Sequence, residues 1–198
     1  MKNGTFVLRI AAVLAILCLA SAPLMAAAAA NSIAQHGTVA VCQGIKDKEA
    51  ELPGLGVFTI PSAGHISSRV GGAITAPGGE PAAELTIIDF TDSGSADGLG
   101  AYTFTLDKRQ AGSSWVQQNA DGSLTQVMNF HLQANVEALG NTSLRTTRPA
   151  TVAADLKTFP ETGAVYHLID PIEFVDGDGK VRLRIHNTTI KMVDTQAF

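Results

Sequence analysis

Carboxylates interleaved with glycine are the most conspicuous chemical feature of this sequence. Asp176-Gly177-Asp178-Gly179-Lys180 has Asp at alternate positions, each followed by Gly, which is how short loops wrap a hard cation with oxygen ligands. A complete calcium loop also needs a third oxygen ligand and a closing Glu about six residues beyond its glycine. Lys180, Arg182 and Arg184 stand in that region instead. A second acidic stretch, residues 89–100, carries Asp89, Asp92 and Asp97 among Ser and Gly. If the two stretches met in space, Asp92, Asp97, Asp176 and Asp178 would be the metal ligands and Ca2+ the cofactor. If they do not meet, both are turns made soluble by their carboxylates, and the sequence points to no cofactor.

Other chemistries are poorly supplied. His36, His65, His131, His167 and His186 show none of the close spacings, backed by carboxylates, that mark a zinc site. Ser93 and Ser95 lie among glycines but outside any Gly-x-Ser-x-Gly elbow. Cys42 has no local signature of a thiol nucleophile. Acids are plentiful enough for paired-carboxylate hydrolysis, yet Trp115, Tyr102 and Tyr166 are the whole supply of Trp and Tyr for a sugar platform. The balance is against an enzyme, with no residue assigned to catalysis or cofactor binding. Asn141-Thr-Ser and Asn187-Thr-Thr fit the glycosylation sequon, which matters only in a host that glycosylates. No stretch carries a motif set specific enough to import a site from a known family.

Composition sets the compartment. Residues 1–30 read as a secretory signal peptide: Lys2 and Arg9, the apolar run 10–20, Pro23, then the small-residue tract 26–30. The apolar run is too short for a membrane anchor, and no later one replaces it, so no integral membrane segment is expected after cleavage. The protein is therefore expected to be secreted or periplasmic. Losing Lys2 and Arg9 moves the formal charge from −4 to −6, an acidic balance that argues against nucleic acid as a partner. Cys18 leaves with the leader and Cys42 is alone in residues 31–198, so no intrachain disulfide can form. A buried Cys42 implies a monomer; an exposed one, a disulfide-linked dimer.

Residues 31–198 are expected to form a single β domain. Residues 84–90 (ELTIIDF) and 101–106 (AYTFTL) read as strands of a hairpin, with 91–100 as a long loop. Residues 114–118 enter the Asp121-Gly122 turn, and 124–136 leave it with strict alternation. Met128, Phe130, Leu132, Ala134 and Val136 face the core; Asn129, His131, Gln133, Asn135 and Glu137 face water. A third hairpin joins 171–175 to 180–185 across the Asp176 turn, placing His186 on the wet face, and 150–156 and 165–169 add two more short strands. Nearer the start, 38–42 and 56–60 read as strands, 47–51 as a helical turn and 71–81 as a Gly/Pro-rich loop.

Short strands, regular turns and almost no helical periodicity predict an all-β fold. An antiparallel β-sandwich, jelly-roll or Ig-like, is the expected form, with a small closed β-barrel as the alternative. An outer-membrane barrel fits less well, since aromatic girdles are lacking and Asp194 and Gln196 interrupt the last strand. The expected function is that of an exported non-catalytic sandwich, an extracellular or cell-envelope binding or structural domain with an unknown protein or glycan partner. One alternative is a small enzyme or ligand-binding barrel with a polar interior pocket lined by His131, Gln133 and Glu137 with Arg182 or Arg184. Another is a calcium-stabilised adhesion domain.

Overall fold

The computed structural model describes residues 35–198; the expected signal peptide lies outside them. The strands are β1 (Val39–Leu52), β2 (Gly56–Thr75), β3 (Pro81–Ala96), β4 (Gly100–Leu106), β5 (Ser114–Gln118) and β6 (Leu124–Phe130). They continue as β7 (Leu132–Val136), β8 (Leu144–Thr146), β9 (Ala150–Leu156), β10 (Val165–Leu168), β11 (Ile172–Val175) and β12 (Val181–Ala197). All pairings are antiparallel and join the 12 strands into one sheet. The all-β antiparallel class expected from the alternation is what the chain adopts.

The sheet closes on itself. Long strands β12, β1, β2 and β3 form one wall, each paired with the next along most of its length. The opposite wall is built in two tiers of short strands. One tier runs from β3 through β4, β7, β8 and β11 to β12. The other runs from β3 through β5, β6, β9 and β10 to β12. The result is a closed but irregular sheet rather than a simple barrel, because one wall is continuous and the other is broken at mid-height.

Bulges decide what faces inward. A strand alternates its side chains between two faces, so one extra residue exchanges the faces beyond it. In β3, Ser67 pairs with Asp89 and Ser68 with Ile87, which leaves Ile88 as the extra residue. Leu85 is buried before this bulge, and Phe90 and Asp92 are buried after it. In β12, Glu49 pairs with Asn187 and Ala50 with Ile185, so His186 is the extra residue. Leu183 and Ile185 are buried before it; Thr188, Ile190 and Met192 after it. The core is the lumen of the closed sheet, filled by Phe90, Phe104, Phe130, Phe174 and the aliphatic side chains around them.

The three hairpins read from the sequence all form, with β9 and β10 close to their expected limits. Three local expectations are corrected. Residues 47–51 are not a helical turn; β1 runs straight through them, held on both sides by β2 and β12. The 71–81 loop shrinks to residues 76–80, since β2 continues through Gly71 and Gly72 to Thr75. The long loop 91–100 is mostly strand: β3 extends to Ala96, and Ser93, Gly94 and Ser95 pair with Thr103, Tyr102 and Ala101. Local composition favoured loops there, but partner strands, on both sides of 47–51 and on one side of 73–75 and 94–96, supply the hydrogen bonds that small polar residues cannot obtain from packing.

Candidate functional site

The inner face of β1 consists of Ala40, Cys42, Gly44, Lys46, Lys48, Ala50 and Leu52, all buried. Gln43, Ile45, Asp47 and Glu49 project outward and are exposed. The run Lys46-Asp47-Lys48-Glu49 thus turns both cations into the lumen and both acids to water. Asp92 reaches the same point from β3, two residues beyond Phe90 and on the same face. It pairs across the ladder with Gly64, where a Cβ would collide with the Thr91 carbonyl, so glycine lets β2 and β3 approach closely beside the carboxylate.

Asp92 is completely buried and bridges the two amines. Lys46 Nζ lies 3.3 Å from Oδ1 and Lys48 Nζ lies 2.6 Å from Oδ2. Neither carboxylate oxygen accepts a hydrogen bond of good geometry, so the compensation is that of charge against charge. Lys48 also donates to Ser62 Oγ. Each ammonium sits over a ring: Lys46 Nζ is 5.2 Å from the centroid of Phe90, and Lys48 Nζ is 5.0 Å from that of Phe104. Burial pushes both lysines below the ordinary range for an amine, opposed by the attraction of Asp92. Burial, together with the Asp92 charge, raises the phenol of Tyr102, which donates to the Pro61 carbonyl nearby.

These charges border a small cavity whose other walls include Phe130, Val152, Ile172, Phe174 and Ile185. Two cations and one anion therefore share an apolar, water-poor space. Such an arrangement can hold an anion, or keep an amine free of its proton. As a device for stability alone it is poor, because a buried ion pair rarely outperforms well-packed apolar residues of the same volume.

The candidate metal ligands are placed as follows. Asp92 is engaged with the lysines. Asp97 is exposed in the turn between β3 and β4. Asp176 accepts from the backbone N–H groups of Asp178 and Lys180 and pairs with Arg182 at 3.3 Å, the work of a turn cap, and Asp178 is exposed. Among the described residues, no three His, Cys, Asp or Glu side chains are grouped as a metal ion would require. Cys42 is buried, and burial and Asp194 raise its thiol to about 11.

The polar set expected to line an interior does not converge. His131, expected on the wet face, is buried where the second wall breaks between β6 and β7, with Nδ1 3.4 Å from Thr146 Oγ1. Glu137 accepts from the Ala101 N–H, and Gln133 bonds the Asp107 carboxylate. Arg182 is tied to Asp176, and Arg184 to Glu173 and Glu51 on the outer surface. His186 joins Glu51 there, at 2.9 Å. The polar residues that line the cavity are instead Lys46, Lys48, Asp92 and Thr188. Neither lysine stood out in the sequence, because reading 47–51 as a turn hid the strand. The signal was present: small or apolar residues fill the even positions from 40 to 52 except at the two lysines.

No protein-family model matches the chain, and no curated protein matches it in sequence. Among solved structures it is similar to DynF from the dynemicin biosynthesis pathway of Micromonospora chersina. The TM-score is 0.65 and the identity 17%, and 79% of each chain is covered. This likeness is one of fold. With the charged lumen, it overturns the expectation of a non-catalytic binding, structural or adhesion domain. The closed sheet with charges inside fits the alternative of a barrel with a polar interior.

Proposed function

We propose that the protein is an exported small-molecule-binding barrel whose lumen takes a compact apolar compound carrying an acidic group. A carboxylate, enolate or phenolate would lie against Lys46 and Lys48. The observation that carries this reading is the Lys46–Asp92–Lys48 group itself, two ammoniums and one carboxylate at the centre of an apolar interior. An anion there supplies the charge that the second lysine lacks, and the rings of Phe90, Phe104 and Phe130 offer an apolar bed for its body. The gap between these side chains is small, so a ligand seats only as the rings turn aside. A fold shared with a protein from a biosynthesis pathway supports a small molecule, rather than a macromolecule, as the partner. The basic-apolar-small order of residues 1–30 supports secretion or a periplasmic location.

Methyl NMR tests the reading. On titration with benzoate, the methyl groups of Ile172, Ile185 and Ile190 should shift together and saturate, while benzyl alcohol should move them far less. Shifts confined to outward-facing methyls such as Ile45, or none at millimolar benzoate, would refute it. Lys46→Met combined with Lys48→Met should remove the preference for the acid over the alcohol.

A further inference from the structure

We propose, resting on the ligand-binding reading, that Lys46 is an amine nucleophile that forms a Schiff base with a carbonyl compound held in the lumen. The Lys48–Asp92 pair beside it carries the protons. The first support is a charge count. Asp92 is the one acid lining this cavity among the described residues, yet two lysines share it. With both amines protonated and no anion bound, a positive charge would remain uncompensated in apolar surroundings, and the economical solution in the empty lumen is loss of one proton.

Geometry selects which amine loses it. Lys48 holds the short 2.6 Å contact to Asp92 and donates to Ser62 Oγ, so its ammonium is well supported. Lys46 has the longer contact, 3.3 Å, and otherwise faces the Phe90 ring. An amine kept free of its proton by an apolar site and a neighbouring cation is the activated form that attacks carbonyl carbon. Burial acts on both amines in this direction, and the Lys46 charge adds to it at Lys48, so the choice of Lys46 rests on its longer contact to Asp92 and its lack of a hydroxyl partner.

The step balances without an added reagent. The Lys46 Nζ lone pair forms the C–N bond, and the carbonyl π electrons move to oxygen. One Nζ proton passes to that oxygen, giving the carbinolamine. Lys48 then protonates the hydroxyl, which leaves as water, while the nitrogen lone pair forms the C=N bond. Asp92, with one oxygen on each amine, returns the second Nζ proton to Lys48. The dry lumen protects the imine from hydrolysis.

Reductive trapping tests this on the full chain. Benzaldehyde with sodium cyanoborohydride at neutral pH converts an imine to a stable benzylamine, and peptide mass mapping finds it. Lys46 should be labelled about tenfold faster than the exposed Lys108, Lys157, Lys180 and Lys191. Lys46→Arg should abolish the fast labelling. Lys48→Arg, which keeps a cation but does not release its proton, should leave Lys46 as the labelled site and slow its labelling. Labelling of Lys46 no faster than surface lysines, or selective labelling of Lys48, would overturn the assignment. If Lys46 stays unlabelled while benzoate still moves the lumen methyls, ligand binding stands and the nucleophile does not. If both fail, both readings fall.

Discussion

Strand β1 takes part in two ion-pair groups, one on each side of the sheet: the inner joins it to β3, the outer to β12 and, through Arg184, to β11. Inside, Lys46 and Lys48 share Asp92 with side-chain exposures of 4%, 7% and 0%. Outside, Arg184 and His186 hold Glu51, and Arg184 also holds Glu173, with exposures between 29% and 44%. Each group sets basic side chains against carboxylates, and β1 contributes to both. What differs is the solvent. Outside, water and salt screen each charge, and the pairs chiefly fix cross-strand register. Inside, every charge has lost its hydration and depends on its protein neighbours, so the inner group shapes proton affinity and ligand choice instead.

The largest expected effect follows from breaking the inner group at its centre. Asp92→Ala leaves two lysines facing each other without a counter-charge, and should lower the unfolding free energy by about 3–5 kcal/mol in urea denaturation. Glu51→Gln, the corresponding loss outside, should change it far less, and by an amount that shrinks with added salt. Comparable losses from the two variants would mean that burial does not separate the two groups.

Replacing the inner group as a whole should act the other way. Lys46→Met, Lys48→Met and Asp92→Leu together remove three desolvated charges, and stability should hold or rise by about 1–4 kcal/mol. Benzoate binding should disappear in the same variant. A protein that is more stable yet blind to the ligand separates function from folding; one that is less stable and still binds would place the anion elsewhere.

A smaller effect concerns Cys42, two inward positions before Lys46 on the same face. Its thiol is raised from 9.0 to about 11 by burial and Asp194, so the folded state keeps a proton that the unfolded state has released. That contribution is complete below pH 9 and is lost as pH rises through about 11, a decline of up to about 3 kcal/mol. The buried lysines act oppositely: with proton affinity below the ordinary 10.5 in the folded state, they favour folding more as pH approaches that value. Cys42→Ala should therefore remove the alkaline decline, measured as thermal midpoints from pH 8 to 11. An unchanged profile would mean that the thiol is not held in the lumen.

Much of the fold was legible because alternation is a local signal. Met128, Phe130 and Leu132 must share a face if their segment is a strand, and Asp121-Gly122 turns wherever it stands. His131 escaped the same logic because the break between β6 and β7 lies at that residue, and alternation does not apply across it. The site was harder to see. Asp92 looked like one acid in a glycine-rich loop, and only its pairing with Phe104 and Gly64 makes it a strand residue. Even a correct reading of β3 as strand would have placed Asp92 outside, counting from Leu85, because the bulge at Ile88 is invisible without β2.

The order of residues along this chain was sufficient, alone, to make it antiparallel sheet and to fix most of its turns, since both depend on neighbours one to four positions away. Closure of the sheet through β1 and β12, and the meeting of Lys46, Lys48 and Asp92 inside it, belong to the tertiary structure. Those contacts join segments distant in sequence, and their facing is set by bulges that exist only once partner strands are in register.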